Sequence, residues 1–182
     1  MSQALLIIDI QNDYFPGGAM ELVGSDAAAS KAATLISAFR AKNRPVIHVQ
    51  HVAAQPNATF FRPGTEGADI HHSVSPQSGE IVVQKSCPNG FRDTSLLQHL
   101  RDLKVDSLVI AGMMTHMCVD TTTRAAADLG FNCVLAHDAC ATRDLMFGDK
   151  NVSAEDVQTS YIAAIDGTFA SVQATDIVAA AT

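Results

Sequence analysis

No run of apolar residues in this sequence approaches the length of a membrane span, and the amino terminus lacks the pattern of a secretory signal. The first three residues include no basic side chain, and the apolar run over residues 4–8 is shorter than the hydrophobic core of a signal peptide. We therefore expect a cytoplasmic protein that has no membrane partner.

Clusters of lysine or arginine are also missing. The chain carries 12 Lys and Arg residues against 19 Asp and Glu residues, which gives a formal net charge of −7 at pH 7. A surface that binds nucleic acid needs concentrated positive charge to meet the phosphate backbone. The composition therefore predicts that nucleic acid is not a partner.

The cysteines form no Cys-x-x-Cys pair, which is the spacing typical of zinc and redox motifs. In an intracellular chain of this length they are expected to be free thiols, because disulfide frameworks belong to oxidising compartments. The four residues are Cys87, Cys118, Cys133 and Cys140.

Patterns of strand and helix alternate along the chain. Apolar runs of strand length cover residues 5–10, 45–50, 81–85, 107–112, 132–136 and 169–172. Helical patterns cover residues 26–42, 93–103, 118–130 and 153–165, and a short helix is predicted after residue 175. Strands that are apolar throughout are typical of a parallel sheet covered on both faces. The sequence predicts one α/β domain over residues 1–182, a three-layer α/β/α, Rossmann-like fold with a six-stranded, mainly parallel sheet.

Three reactive side chains are predicted at the carboxyl ends of these strands, where open parallel sheets form their sites. Asp9 lies near the end of the first strand, Lys85 ends the third, and Cys118 begins the helix after the fourth. Each has an ordinary structural explanation when taken alone: a paired buried carboxylate, a solvated strand end and an inert buried thiol. A helix start lowers a thiol pKa, which makes Cys118 a candidate nucleophile. Together at one rim, the three residues indicate a catalytic site.

Five segments of the sequence resemble the cysteine hydrolases of the isochorismatase-like superfamily, which includes isochorismatases, nicotinamidases and N-carbamoyl-amide hydrolases. The similarity covers nearly the whole chain up to about Thr142. The segments are residues 5–15, 61–67, 85–94, 111–119 and 137–142, and they include Asp9-Ile-Gln-Asn-Asp and Gly112-Met-Met-Thr-His-Met-Cys118.

The resemblance implies a catalytic triad of Asp9, Lys85 and Cys118. It also implies a cis peptide bond between Met113 and Met114, and an oxyanion hole formed by the backbone N–H groups of Met114 and Cys118. In such a site Asp9 takes the thiol proton and Lys85 stabilises the thiolate, which attacks a carbonyl and forms an acyl enzyme. A homo-oligomer is a further expectation from the resemblance.

The presence of Cys118 bears on the bond that is cleaved. Vinyl-ether hydrolysis by isochorismatases does not pass through an acyl enzyme, so a cysteine at this place favours a C–N bond in a small amide, ureide or N-carbamoyl compound. Two alternatives stay open at this point. One is an isochorismatase-type vinyl-ether hydrolase, and the other is a non-catalytic thiol protein that senses oxidants or binds a partner.

The pocket for a small-molecule substrate has four candidate wall residues, which are Phe15, Phe61, Phe91 and His116. The turn-rich segment over residues 52–79 is long for a connection and lies beside the predicted rim. We expect it to close over the rim and to bring Phe61 or Arg62 to the substrate.

Neither a metal nor another cofactor is expected. Nicotinamidases of this superfamily bind a metal through an aspartate where this sequence has Gln50. His71 and His72 are neighbours, and in an extended segment their side chains are expected to point in opposite directions, so that they cannot share one ion.

Overall fold

The computed structural model describes residues 2–182 as eight strands and five helices. The strands are β1 Gln3–Ile8, β2 Val46–His51, β3 Ile81–Lys85, β4 Ser107–Met113, β5 Asn132–Ala141, β6 Leu145–Phe147, β7 Lys150–Val152 and β8 Ser171–Gln173. The helices are α1 Ser25–Ala41, α2 Leu96–Asp102, α3 Asp120–Asp128, α4 Ala154–Ile165 and α5 Thr175–Ala181. Short 3-10 turns cover Asn12–Tyr14, Glu66–Ala68 and His72–Val74, and a π-helical turn covers Thr115–Val119.

Six strands form one sheet in the order β3-β2-β1-β4-β5-β8, and every neighbouring pair is parallel. This confirms the predicted three-layer α/β/α fold and its six-stranded sheet. β6 and β7 form a separate antiparallel hairpin, in which Phe147 is 86% exposed. The sequence pattern did not indicate this hairpin, because two strands of three mostly exposed residues carry no apolar run of strand length.

Alternate residues of the strands pack into two core layers. In β1, Leu5 and Ile7 pack in the layer under α1 and α5, whereas Leu6 and Ile8 pack in the layer under α2, α3 and α4. Each central strand is therefore buried on both faces, which is the reason why its sequence is apolar without alternation.

The chain begins in the middle of the sheet. It runs outward from β1 to β2 and β3 and then returns to β4 on the other side of β1, so the strand order reverses between β1 and β4. Ligand sites of open α/β sheets lie outside the carboxyl ends of the strands at such a point. At Gly112 a Cβ atom would lie 2.1 Å from the Ile8 carbonyl oxygen, so only glycine allows β4 to approach β1 here. The Met113–Met114 peptide bond is cis.

Some predicted boundaries are wrong because of local backbone conformation. β1 ends at Ile8 and not at residue 10, since Asp9 takes a left-handed conformation with φ of 50°. The helix predicted from residue 93 begins at Leu96, because Asp93 is also left-handed, with φ of 56°. β5 continues to Ala141 through a register shift against β4, five residues beyond its predicted end.

The segment between β2 and β3 lies against the residues that follow β1. The His71 N–H donates to the Ile10 carbonyl at 2.9 Å, and the Asn12 N–H donates to the Asp69 carbonyl at 3.0 Å. The segment is thus held at the carboxyl rim of the sheet, as expected. Phe61 is fully buried there, while Arg62 is exposed.

All four cysteines are free thiols, as predicted. None of the helices within residues 2–182 is both long and apolar enough to cross a membrane.

Candidate active site

The ammonium group of Lys85 lies at the centre of a buried polar cluster. Its Nζ atom is 2.7 Å from Asp9 Oδ2, 3.2 Å from Cys118 Sγ and 2.9 Å from His51 Nδ1. An ammonium can only donate hydrogen bonds. It is hydrogen-bonded to Cys118 and His51, and it forms an ion pair with Asp9. The structure therefore brings together the three predicted residues and adds a fourth, His51.

Asp9 and Cys118 approach from the two central strands. The left-handed backbone of Asp9 takes it out of the alternation of β1, and its N–H donates to the Val49 carbonyl at 2.9 Å. Asp and Asn tolerate this conformation better than other side chains, although it still has a conformational cost. Cys118 lies in the π-helical turn that follows β4 and leads into α3. The predicted single helix from residue 118 is thus a π turn followed by an α-helix.

Lys85 reaches the site from two strands away. β3 is separated from β1 by β2, and adjacent strands lie about 4.8 Å apart, so the long lysine side chain spans roughly two strand spacings. His51 is the last residue of β2 and pairs in register with Lys85, which places it in the gap that the lysine crosses. His51 was not among the site residues predicted from the sequence. Its place at the end of a strand is visible there, but the register that sets it beside Lys85 has no local signal.

Gln11 is a second site residue that was not predicted from the sequence. Its side chain is fully buried and makes two hydrogen bonds with the His51 backbone, donating to the carbonyl at 2.8 Å and accepting from the N–H at 2.7 Å. It also donates to the Ala68 carbonyl at 2.7 Å. Gln11 thus joins the end of β2 to the segment above the rim.

Burial dominates the electrostatics of the thiol. It raises the pKa of Cys118 well above its ordinary value, the Asp9 charge raises this pKa further, and Lys85 only partly opposes them. The expectation of a low thiol pKa from the helix start is therefore wrong. Burial alone would lower the pKa of Lys85, but Asp9 and Cys118 raise it above its ordinary value. The resting site holds an Asp9–Lys85 ion pair beside a protonated thiol.

One oxygen of Asp9 is free to accept a proton. The Lys85 ammonium lies 2.7 Å from Oδ2 without the direction of a hydrogen bond, so this contact is an ion pair. Oδ1 is buried and accepts no hydrogen bond from any residue in 2–182. This oxygen is therefore open to a new hydrogen bond.

A cavity of about 260 Å³ adjoins the cluster through His51. Phe61 lines it, and its N–H donates to Asp13 Oδ2 at 2.6 Å, which holds the left-handed backbone of Phe61 in place. The rings of Tyr14 and Phe61 pack together, and their centroids are 4.6 Å apart. Burial, followed by the charges of Cys118 and Asp9, raises the pKa of Tyr14 well above its ordinary value. Phe61 and Tyr14 thus extend from the cavity toward the charges of the polar cluster.

The other three candidate pocket residues have partners elsewhere in the structure. Phe15 stacks on His71 with centroids 3.6 Å apart, and Phe91 stacks on Phe131 with centroids 6.2 Å apart. The Nδ1 atom of His116 is hydrogen-bonded to the Thr142 hydroxyl. Phe61 is thus the one of the four candidates that lines the cavity beside His51, and contact of the others with substrate stays a prediction.

Arg143 carries a positive charge at the same rim, which was not predicted from the sequence. It follows β5, and its Nε atom is buried without a hydrogen-bond partner among residues 2–182. Burial lowers the pKa of His116, and the Arg143 charge lowers it further. The same charge opposes the rise in the pKa of Tyr14. Arg143 therefore adds a positive potential close to the candidate site.

Among the backbone N–H groups around Cys118, that of Met114 is left without a carbonyl partner within residues 2–182. The Met114 carbonyl accepts from the N–H groups of Met117 and Val119, on either side of Cys118. Within residues 2–182, no carbonyl outside the helical turn receives the N–H of Cys118, and none receives that of Met114.

The donor set Asp9, His51 and Cys118 has the composition of a metal site, and its ligand atoms all lie within 4.8 Å of one another. The Lys85 ammonium already contacts all three, so a metal ion at this point would have to displace it. Gln50 is not available as a ligand in its present conformation, because its amide donates to the Ala68 carbonyl and accepts from Gln84. The residues around this point do not fit a metal ion.

The two adjacent histidines correct one expectation. His71 and His72 do not point in opposite directions: their ring centroids are 4.2 Å apart, because His72 begins a 3-10 turn and does not continue an extended segment. His71 is nevertheless engaged, since its Nδ1 atom is hydrogen-bonded to the Ser73 hydroxyl and its ring stacks on Phe15.

We expect activity to be independent of metal. Prolonged dialysis against a chelator should leave turnover unchanged, because the Lys85 ammonium and not a metal ion occupies the space among the three donors. Metal content before and after dialysis serves as the control. A loss of activity that zinc, iron or manganese restores would contradict this prediction.

Comparison with known proteins gives a consistent set of relatives. The model of the isochorismatase domain matches residues 3–176. The isochorismatase family protein YddQ of Bacillus subtilis (strain 168) is 48% identical over 176 residues, which cover 97% of this chain and 98% of that protein. A crystal structure of an isochorismatase hydrolase from Oleispira antarctica superimposes with a TM-score of 0.95 at 48% identity, covering 98% of this chain and 96% of that one.

Two further relatives have names that state an activity. A streptothricin hydrolase of Streptomyces noursei is 36% identical over 143 residues, which cover 79% of this chain and 51% of that protein. A maleamate amidohydrolase of Pseudomonas putida is 30% identical over 155 residues, which cover 77% of this chain and 72% of that protein.

Proposed function

Because the chain belongs to the isochorismatase family of hydrolases, we propose that it cleaves a C–N bond in a small amide, ureide or N-carbamoyl compound, with Asp9, Lys85 and Cys118 as its catalytic triad. The observation that carries the proposal is the contact of one ammonium with both a buried carboxylate and a buried thiol, at 2.7 and 3.2 Å. Two relatives are named a hydrolase and an amidohydrolase, which supports the reaction type.

In the proposed first half-reaction, Asp9 accepts the thiol proton while the Cys118 sulfur attacks the substrate carbonyl carbon. The N–H groups of Met114 and Cys118 stabilise the resulting oxyanion, and donors of this kind contribute about 3–4 kcal/mol each in well-studied enzymes. Asp9 then passes its proton to the leaving nitrogen as the C–N bond breaks. The products are an amine or ammonia and a thioester on Cys118.

In the second half-reaction, Asp9 takes a proton from a water molecule that attacks the thioester carbonyl. The C–S bond breaks, the sulfur recovers a proton from Asp9, and the acid is released. Lys85 remains charged throughout and offsets the negative charge that moves between Asp9 and Cys118. The raised thiol pKa fits this order, because the proton is transferred only when the substrate is in place.

The redox alternative is less well supported. Cysteines that sense oxidants are solvent-accessible and have a lowered pKa. Cys118 is only 4% exposed, and its surroundings raise its pKa. The vinyl-ether alternative remains, because it needs the same fold and does not need the thiol.

The proposal is tested by measuring ammonia or amine release from a panel of small amides, ureides and N-carbamoyl compounds, with a vinyl ether as a further substrate. Turnover of at least one C–N substrate by the wild type supports the proposal. Turnover of the vinyl ether alone would overturn it in favour of the isochorismatase-type reaction.

Arg143 indicates which substrates of the panel should bind best, namely those that carry a carboxylate. A buried guanidinium nitrogen without a partner is costly, and a carboxylate of the substrate would satisfy it. We expect Arg143→Gln to raise the KM for amides that also carry a carboxylate by about 10- to 100-fold and to leave the KM for neutral amides nearly unchanged. Arg92→Gln, at an exposed site, is the control. Equal effects on charged and neutral substrates would contradict a role in charge selection.

A further inference from the structure

His51 occupies a place in the site that the proposed reaction does not use. Its Nδ1 atom is 2.9 Å from Lys85 Nζ and 3.9 Å from Asp9 Oδ2. Because an ammonium can only donate, Nδ1 of His51 has to be the acceptor. The imidazole is then neutral and carries its hydrogen on Nε2.

The ring of His51 is held from several sides. Gln11 fixes its backbone through two hydrogen bonds, and the Phe61 ring lies 5.7 Å from it, centroid to centroid. His51 pairs in register with Lys85 on β3, which fixes the position of His51 along the strand direction. A side chain restrained in this way can set the position of its hydrogen-bond partner.

Lys85 needs such a restraint more than the other members of the triad. Its side chain has four rotatable carbons and crosses the end of β2 to reach Asp9. The ammonium forms an ion pair with Asp9 and donates a hydrogen bond to Cys118. It also donates back toward β2, where His51 is the acceptor.

We propose that His51 is a positioning residue, which accepts a hydrogen bond from Lys85 and so holds the ammonium between Asp9 and Cys118. This proposal rests on the proposed function of the triad. It assigns His51 no contact with the reacting atoms.

The first test compares two amide replacements. In Asn, the side-chain oxygen takes about the place of Nδ1, whereas in Gln the amide lies near the place of Nε2. We expect His51→Asn to keep most of kcat, and we expect His51→Gln and His51→Leu to lower kcat by about 100-fold, the scale of a small misplacement of a catalytic group. His99→Asn, in α2, is the matched control. An equal loss for Asn and Leu at position 51 would overturn the proposal.

The pH profile gives a second readout. Charged or titratable groups that face the ring are Lys85, Asp9 and Cys118. Burial lowers the pKa of His51, the Lys85 charge lowers it further, and Asp9 opposes them. Protonation of His51 would remove the acceptor and place two cations side by side, so an acid limb of kcat is expected below about pH 6.5. His51→Asn should move this limb to lower pH, and an unchanged limb would count against the proposal.

A third measurement does not need activity. NMR spectra of protein labelled with ¹⁵N-histidine should show His51 as the Nε2–H tautomer, with Nδ1 unprotonated, and Lys85→Met should remove this preference. The His51→Asn variant assigns the signal. A protonated Nδ1 in the wild type would refute the positioning role. Correct tautomer signals in a protein that hydrolyses none of the C–N substrates would instead refute the proposed function alone.

Discussion

Cys118→Ala should lower kcat for the C–N substrate by about 10⁴-fold or more, the scale seen when a covalent nucleophile is removed. The fold should persist, because the change removes one sulfur atom from a turn and opens little core. Cys118→Ser should be nearly as inactive, since a hydroxyl is a much weaker nucleophile when its base is a carboxylate. Stopped assays of both variants measure kcat, and their unfolding curves measure whether the fold persists.

The control for this experiment is Cys133→Ala, which removes another buried thiol that lies in the same core layer. Intact-protein mass spectrometry of the wild type during turnover should detect an acyl adduct that Cys118→Ala lacks. Substantial hydrolysis by Cys118→Ala without an adduct in the wild type would remove the nucleophile from the mechanism and favour the vinyl-ether reaction.

Asp9→Asn should have the second largest effect, a loss of kcat of about 10³- to 10⁴-fold. An amide can neither take the thiol proton nor return it to the leaving nitrogen, so both half-reactions should fail while substrate binding persists. Since residues that act as a unit are not additive, the Asp9→Asn/Cys118→Ala double variant should be scarcely less active than Cys118→Ala alone.

Asp120→Asn is the matched control for Asp9→Asn, because Asp120 forms an ordinary ion pair with Arg124 in α3. Substrate affinity can be measured by calorimetry with the inactive Asp9→Asn protein. Multiplicative losses in the double variant would show that Asp9 and Cys118 act independently, contrary to the proposed proton transfer between them.

The positions of Asp9, Lys85 and Cys118 were predictable because each is placed by a strand with a plain apolar pattern. Asp9 follows β1, Lys85 ends β3 and Cys118 lies in the turn after β4, and parallel strands bring their carboxyl ends to one edge. Their catalytic roles come from the resemblance to a known family and stay a prediction. Positions can be predicted where a side chain is tied to a regular element.

His51 and Gln11 were not predictable in the same way. Their contacts depend on the register of β2 against β3 and on the path of the segment that follows β1, neither of which has a local signal in the sequence. The thiol pKa illustrates a related limit. A helix start suggests a low pKa for Cys118, but burial beside Asp9 outweighs it, and burial is a property of the whole fold.

The position of β3 at the edge of the sheet affects how easily the site is lost by local unfolding. β3 lies at the edge, pairs only with β2 and supplies Lys85, whereas Asp9 and the turn that carries Cys118 follow the central strands β1 and β4. Opening an edge strand requires less free energy than global unfolding. The ammonium is therefore withdrawn whenever β3 detaches, even while the centre of the sheet stays intact. In mild denaturant, activity is therefore expected to be lost when the five residues of β3 detach from β2, before the whole domain unfolds.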